Sequence, residues 1–158
     1  MEKKSILIVD DDESVLKPIA GILRLEGYSV DTAKTGKEAI EKSNLRFYNL
    51  ALIDIRLPDM EGTKLLTALR DTMPKMVKII ITGYPSPENA VEAVNKDADG
   101  YLIKPAKIDG LLEMVKARLE KQEEEVRYNE QRVKEFIETR AKEHEAKTSE
   151  KSEKQSKK

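Results

Sequence analysis

No cysteine occurs among the 158 residues, which removes disulfides, thiolate nucleophiles and cysteine-ligated zinc together and suits a reducing compartment. No apolar run approaches the roughly 18 to 20 residues that span a bilayer. The start, Met1-Glu2-Lys3-Lys4, leads only into the short stretch Ile6 to Val9 rather than a signal-peptide core. A soluble, cytoplasmic chain without membrane insertion is the expectation. Neither sign of charge dominates, since 29 Lys and Arg stand against 30 Asp and Glu. No broad positive field draws in nucleic-acid phosphates, so no nucleic-acid partner is expected. From Leu111 to the end Gly and Pro are missing, so nothing there punctuates a helix.

What is present is an alternation. Short apolar runs exchange with helix-like segments five times, the pattern of parallel strands joined by crossover helices in an α/β sheet. The predicted strands are Ser5 to Val9, Tyr28 to Thr32, Leu50 to Ile53, Lys78 to Ile81 and Gly100 to Ile103. Three runs, Ile6 to Val9, Leu50 to Ile53 and Ile79 to Ile81, are continuously apolar, as strands covered on both faces tend to be, and are placed at the sheet centre. Between strands, Val15, Leu16, Ile19, Ile22 and Leu23 recur at helical spacing, with Pro18 early in the helix and Gly27 just past its end. Further helices are predicted over Lys37 to Ser43, Thr63 to Thr72 and Pro87 to Lys96, the last with Ser86 as N-cap, and a fifth from near Asp109.

Beyond the fifth helix, Glu and a basic residue recur four apart: Glu123 with Arg127, Glu130 with Lys134, Glu138 with Lys142, Glu143 with Lys147. Each such pair favours helix by about 0.2 to 0.5 kcal/mol. Three segments follow: a domain over 1–120, a charged helical extension over 121–147, and a tail over 148–158, too poor in apolar groups for packing and predicted to be disordered. Leu112, Val115, Leu119, Gln122, Val126, Asn129, Val133, Phe136 and Arg140 alternate by three and four, an interrupted coiled-coil seam compatible with a homodimer or with a solvated single helix. His144, the lone histidine, reads as solvent-exposed rather than as a ligand or phosphodonor.

In open α/β sheets the functional crevice lies beyond the carboxyl ends of the strands. The polar residues just past the apolar runs are Asp10, Asp11, Asp54, Thr82 and Lys104. Three clustered carboxylates repel unless a cation sits among them. Mg²⁺ fits, because it takes a few carboxylates plus waters and phosphate oxygens. Lys104 would neutralise charge on a transferred phosphoryl group and the Thr82 hydroxyl would donate to one of its oxygens, which leaves Asp54 as nucleophile. Alone, the triplet Asp10-Asp11-Asp12 reads as a helix cap; with acid, hydroxyl and amine at three later strand ends it reads as a site.

Ile6 to Asp11, the Asp54-Ile55-Arg56-Leu57-Pro58 turn with Gly62, Ile81-Thr82 and Lys104-Pro105 resemble response-regulator receiver domains of two-component signalling, over residues 1 to about 120. The resemblance implies a flavodoxin-like, doubly wound five-stranded parallel sheet in the order 2-1-3-4-5, here with an extended C-terminal helix. It implies phosphorylation of Asp54 by a histidine kinase or phosphotransfer protein. Asp11, Asp54 and the Arg56 backbone carbonyl would ligate Mg²⁺, Asp10 assisting. Thr82 and Tyr101 would be the switch pair, and the Lys104–Pro105 bond would be cis. Gly83, Glu61 and Ala106 depart from the commoner Ala, Asp and aromatic residue. Arg56 and Tyr84, each two residues past a site residue, are expected to flank the phosphoryl entrance. Output would pass to a downstream protein partner, to the tail or by onward phosphotransfer, without enzymatic turnover of an external substrate. Two other readings stand beside this one. In one, the chain is an unphosphorylated interaction or dimerisation module. In the other, it is a haloacid-dehalogenase-like phosphatase using Asp10, Asp12, Thr82 and Lys104, a reading that needs a further acid-bearing strand and leaves Asp54 without work.

Overall fold

The computed structural model describes residues 3 to 156. The first two residues of the chain and the last two of the predicted tail lie outside the described residues. Two compact units are distinguished, one ending at Gln122 and one beginning at Glu123.

In the first unit, strands β1 (Ser5–Val9), β2 (Ser29–Ala33), β3 (Leu50–Ile53), β4 (Val77–Thr82) and β5 (Gly100–Ile103) form one parallel sheet in the order β2-β1-β3-β4-β5. The three continuously apolar runs occupy its centre, as expected. Every residue of β3 is fully buried, because helices cover both faces. Successive side chains alternate between those faces. Ile6, Ile8, Leu50, Leu52, Ile79 and Ile81 pack on one side with Leu16, Ala20 and Leu23 of α1 (Glu13–Leu25) and Leu111, Val115 and Leu119 of the last helix, Ile108–Ser156. Leu7, Val9, Ala51, Ile53 and Ile80 pack on the other, against Ala39 of α2 (Gly36–Leu45), Leu65 and Leu66 of α3 (Leu65–Ala68) and Ala93 of α4 (Pro87–Asn95). The last helix is α5.

Local chemistry sets the helix ends. Asp12 caps α1 by accepting the Ser14 backbone N–H at 2.9 Å, Thr35 caps α2 through Glu38, and Ser86 caps α4 through Asn89, with Pro87 in the first turn. The chain leaves α1 through Gly27 at φ +97°, a conformation that costs glycine nothing. The third helix is shorter than the Thr63 to Thr72 span predicted. A 3₁₀ turn, Gly62–Lys64, leads into α3, and Leu69 then turns extended (ψ 142°) with its side chain buried. Burial of Leu69 outweighs the helical preference of the residues after it.

The predicted seam is divided. Val115, Leu119 and Gln122 are buried in the first unit, and Leu112 packs against its core, so those positions pack against the sheet rather than in a free coiled coil. Gln122 is not a polar interruption there. Its amide donates to the carbonyls of Asn49 (3.0 Å) and Lys75 (2.8 Å) and accepts from Asn49 Nδ2 (3.1 Å), while Asn49 Oδ1 accepts the Ser5 backbone N–H at 2.9 Å. In the second unit, helix continues to Ser156, past Lys147 where the composition predicts disorder. Lys, Glu and Gln lose little side-chain freedom in a helix, which accounts for helical backbone there without packing.

Candidate functional site

Parallel strands end along one edge, so the residue after each strand is delivered to the same place. Asp10 follows β1, Asp54 follows β3 and Lys104 follows β5, whereas Thr82 is the last residue of β4. Asp54 backbone N–H donates to the Val9 carbonyl (2.9 Å) and Lys104 N–H to the Thr82 carbonyl (2.8 Å), which extends the ladder to the site residues. Lys104 Nζ donates to Asp10 Oδ2 at 2.6 Å and to Asp54 Oδ2 at 3.1 Å. Both carboxylates are buried, at 2% and 7% side-chain exposure, so the pair of contacts is desolvated on the acid side. The Lys104–Pro105 bond is cis.

Asp10, Asp11 and Asp54 each offer a carboxylate oxygen within 4.8 Å of the others. Asp10 Oδ1 accepts the Asp12 backbone N–H at 2.9 Å, and Asp11 stands exposed at the mouth. Asp54 Oδ1 is buried with no hydrogen-bond partner among the described residues. Burial raises the Asp54 carboxyl above its usual range against the opposing pull of Lys104. Burial also opposes the Lys104 charge, but its bonds to Asp10 and Asp54 outweigh that and hold the ammonium above an ordinary lysine. One ammonium among three clustered acids leaves an excess of negative charge. That donor set fits a hard divalent ion.

Thr82 is fully buried, and its hydroxyl accepts the Tyr84 backbone N–H at 3.0 Å. No hydrogen bond joins it to Tyr101, whose hydroxyl is buried with no partner among the described residues. Arg56 and Tyr84 do come together: the guanidinium lies 3.8 Å from the centroid of the exposed tyrosine ring. Local bonds shape the loop after Asp54. Arg56 and Glu61 form an isolated antiparallel bridge, and Gly62 N–H donates to the Ile55 carbonyl at 2.6 Å. A Cβ at position 62 would lie 1.9 Å from the Asp54 carbonyl oxygen, so only glycine fits. Asp59 carboxylate oxygens accept the Gly36 and Lys37 N–H groups at 2.9 Å, tying this loop to the start of α2 and lowering the Asp59 pKa. No local signal pairs Asp59 with a helix start more than twenty positions away, and sequence reasoning missed it.

The comparisons agree with this architecture. The sequence matches the response regulator receiver domain over residues 6–116, more than half of the chain. It is 40% identical over 106 residues to the transcriptional regulatory protein ZraR of Escherichia coli O157:H7, covering 67% of this chain and 24% of that protein. It is 38% identical over 109 residues to the acid tolerance regulatory protein ActR of Rhizobium meliloti (strain 1021), covering 69% of this chain and 56% of that one. The chain thus spans from about a quarter to little more than half of these relatives. Among solved structures, a CheY-like response regulator receiver domain protein from Methanospirillum hungatei JF-1 superposes with a TM-score of 0.75 at 48% identity, over 78% of this chain and 99% of that chain. The chain belongs to the response regulator receiver domain family of two-component signalling. Among the described residues, no helix is long and apolar enough to cross a membrane.

Proposed function

We propose that residues 1–120 are a phosphoacceptor domain in which Asp54 takes a phosphoryl group from a histidine kinase or phosphotransfer protein, and that 121–158 are an appendage to it. The observation that carries this is the convergence of Lys104 on Asp10 and Asp54 beside an unpartnered Asp54 oxygen. A carboxylate oxygen of Asp54 attacks phosphorus, the bond from phosphorus to the donor breaks, and the donor leaves with the electron pair. The Lys104 ammonium meets the charge on the phosphoryl oxygens, and the Thr82 hydroxyl, whose oxygen accepts the Tyr84 N–H, donates its own proton to one of them. Asp10, Asp11, Asp54 and the Arg56 backbone carbonyl would hold Mg²⁺, whose contribution when bound is neutralisation of phosphate charge.

Recruiting Thr82 and Lys104 to the new phosphate biases the face of α4, β5 and the start of α5 toward a downstream protein partner, with Thr82 and Tyr101 as the switch. The test is intact-mass measurement after incubation with acetyl phosphate and Mg²⁺. The parent gains one phosphoryl adduct and Asp54→Ala gains none; an adduct in both proteins, or in neither, contradicts the assignment. The stacked Arg56 and Tyr84 flank the entrance and slow the hydrolytic water. Replacing both by serine shortens the adduct's lifetime, and an unchanged dephosphorylation rate would remove them from that role.

A further inference from the structure

Among the described residues, the second unit carries an exposed apolar stripe. Val133, Phe136 and Ile137 are 58 to 60% exposed on consecutive turns, with half-buried Val126 two turns earlier on the same side. Two turns of large exposed apolar groups on an otherwise charged helix mark a surface for association. A shallow depression on the helix beside this stripe is bordered by Asn129, Glu130, Val133, Lys134, Ile137 and Glu138.

We propose that this stripe pairs two copies of this chain as an antiparallel coiled coil, centred between Val133 and Phe136. The charges along the seam choose both the occupant and its direction. Continued at the same spacing, the seam runs Val126, Asn129, Val133, Phe136, Arg140, Glu143, Lys147. In a parallel, in-register pair, Arg140, Glu143 and Lys147 would each face their own counterpart, three like-charge layers in succession. Glu125 and Glu130, which flank the seam, would also oppose each other.

Reversing one helix removes every one of these conflicts. Val133 faces Phe136 of the second copy, and Phe136 faces its Val133. Asn129 meets Arg140, so an amide oxygen accepts from a guanidinium. Val126 lies against the stem of Glu143, whose carboxylate reaches water at the rim. Within one helix Arg140 already lies beside the stripe, its guanidinium 5.2 Å from the Phe136 ring centroid and 3.8 Å from the Glu143 carboxylate. Its stem therefore closes the end of the apolar patch that the second copy covers. This inference stands independently of phosphate acceptance.

Sedimentation equilibrium on the full chain tests the association, and engineered disulfides test its direction in a protein with no cysteine of its own. The parent rises from monomer to dimer mass with concentration, and Phe136→Glu with Ile137→Glu stays monomeric with unchanged helicity. Under mild oxidation, a mixture of Asn129→Cys and Arg140→Cys chains yields the mixed disulfide, and Val126→Cys alone yields none. A monomer mass at every concentration, a dimer that survives the double Glu variant, or self-linking by Val126→Cys would overturn the proposal.

Discussion

Replacing Gly62 by alanine tests how the fold positions Asp54. The added Cβ would sit 1.9 Å from the Asp54 carbonyl oxygen, 2.8 Å from its carbon and 2.9 Å from Ile53 Cγ2. Two of these atoms are backbone at the end of a central, fully buried strand, so no flexible side chain can yield. The turn must move away, and the 2.6 Å bond from Gly62 N–H to the Ile55 carbonyl is lost or distorted. Overpacking of this kind costs about 1 to 3 kcal/mol, and the hydrogen bond adds about 1 kcal/mol. A total of about 3 kcal/mol lowers the melting temperature by roughly 10 °C for a domain of this size. Gly21→Ala is the control, because nothing lies within 4 Å of a Cβ there and the position is interior to α1. That change should stabilise by about 0.5 to 1 kcal/mol. Thermal unfolding by circular dichroism reads both variants, and acetyl phosphate labelling of Gly62→Ala under native conditions should fall as Asp54 is displaced. Gly62→Ala melting with the parent and labelling equally well would refute a close approach of this turn to the Asp54 carbonyl.

Two further outcomes are expected. Gln122→Ala leaves Asn49 and Lys75 carbonyls and the Asn49 amide without their buried partner; urea denaturation should show a loss of about 2 to 4 kcal/mol, and a loss below that of an ordinary surface change would mean water replaces the amide. Lys78 is 6% exposed in a central strand, its ammonium donating to the Leu66 carbonyl at 2.7 Å, and burial lowers its pKa below the ordinary lysine value. The unfolded chain therefore holds a proton that the folded chain releases as pH climbs toward about 10.4, so wild-type stability rises through that window. Relative to Lys78→Met, the parent should gain stability between neutral and alkaline pH; a stability difference independent of pH would refute a buried, titrating amine.

Local period was enough to specify the strands and which of them lie at the sheet's centre. Continuous apolar runs at β1, β3 and β4 have only one comfortable setting, between two helical layers, and parallel strands then bring Asp10, Asp54, Thr82 and Lys104 to one edge. Ser86 with Pro87, and Gly27 at its positive φ, are legible for the same reason: each answers a backbone need within a few residues. Tertiary structure alone decided the rest. The Lys104 amine reaches Asp10 across 94 positions of sequence, and Gln122 reaches Asn49 across 73. Gln122 does not differ locally from a polar break in a seam, and the strand end that placed Lys104 at the site did not say which carboxylates its amine would bond. Leu69 ends α3 because burial takes its side chain, and Gly62 is required because Asp54's own carbonyl occupies the place of a Cβ. Such contacts depend on which surfaces packing brings together, and a periodic pattern records only that a surface will be covered, not by which residue.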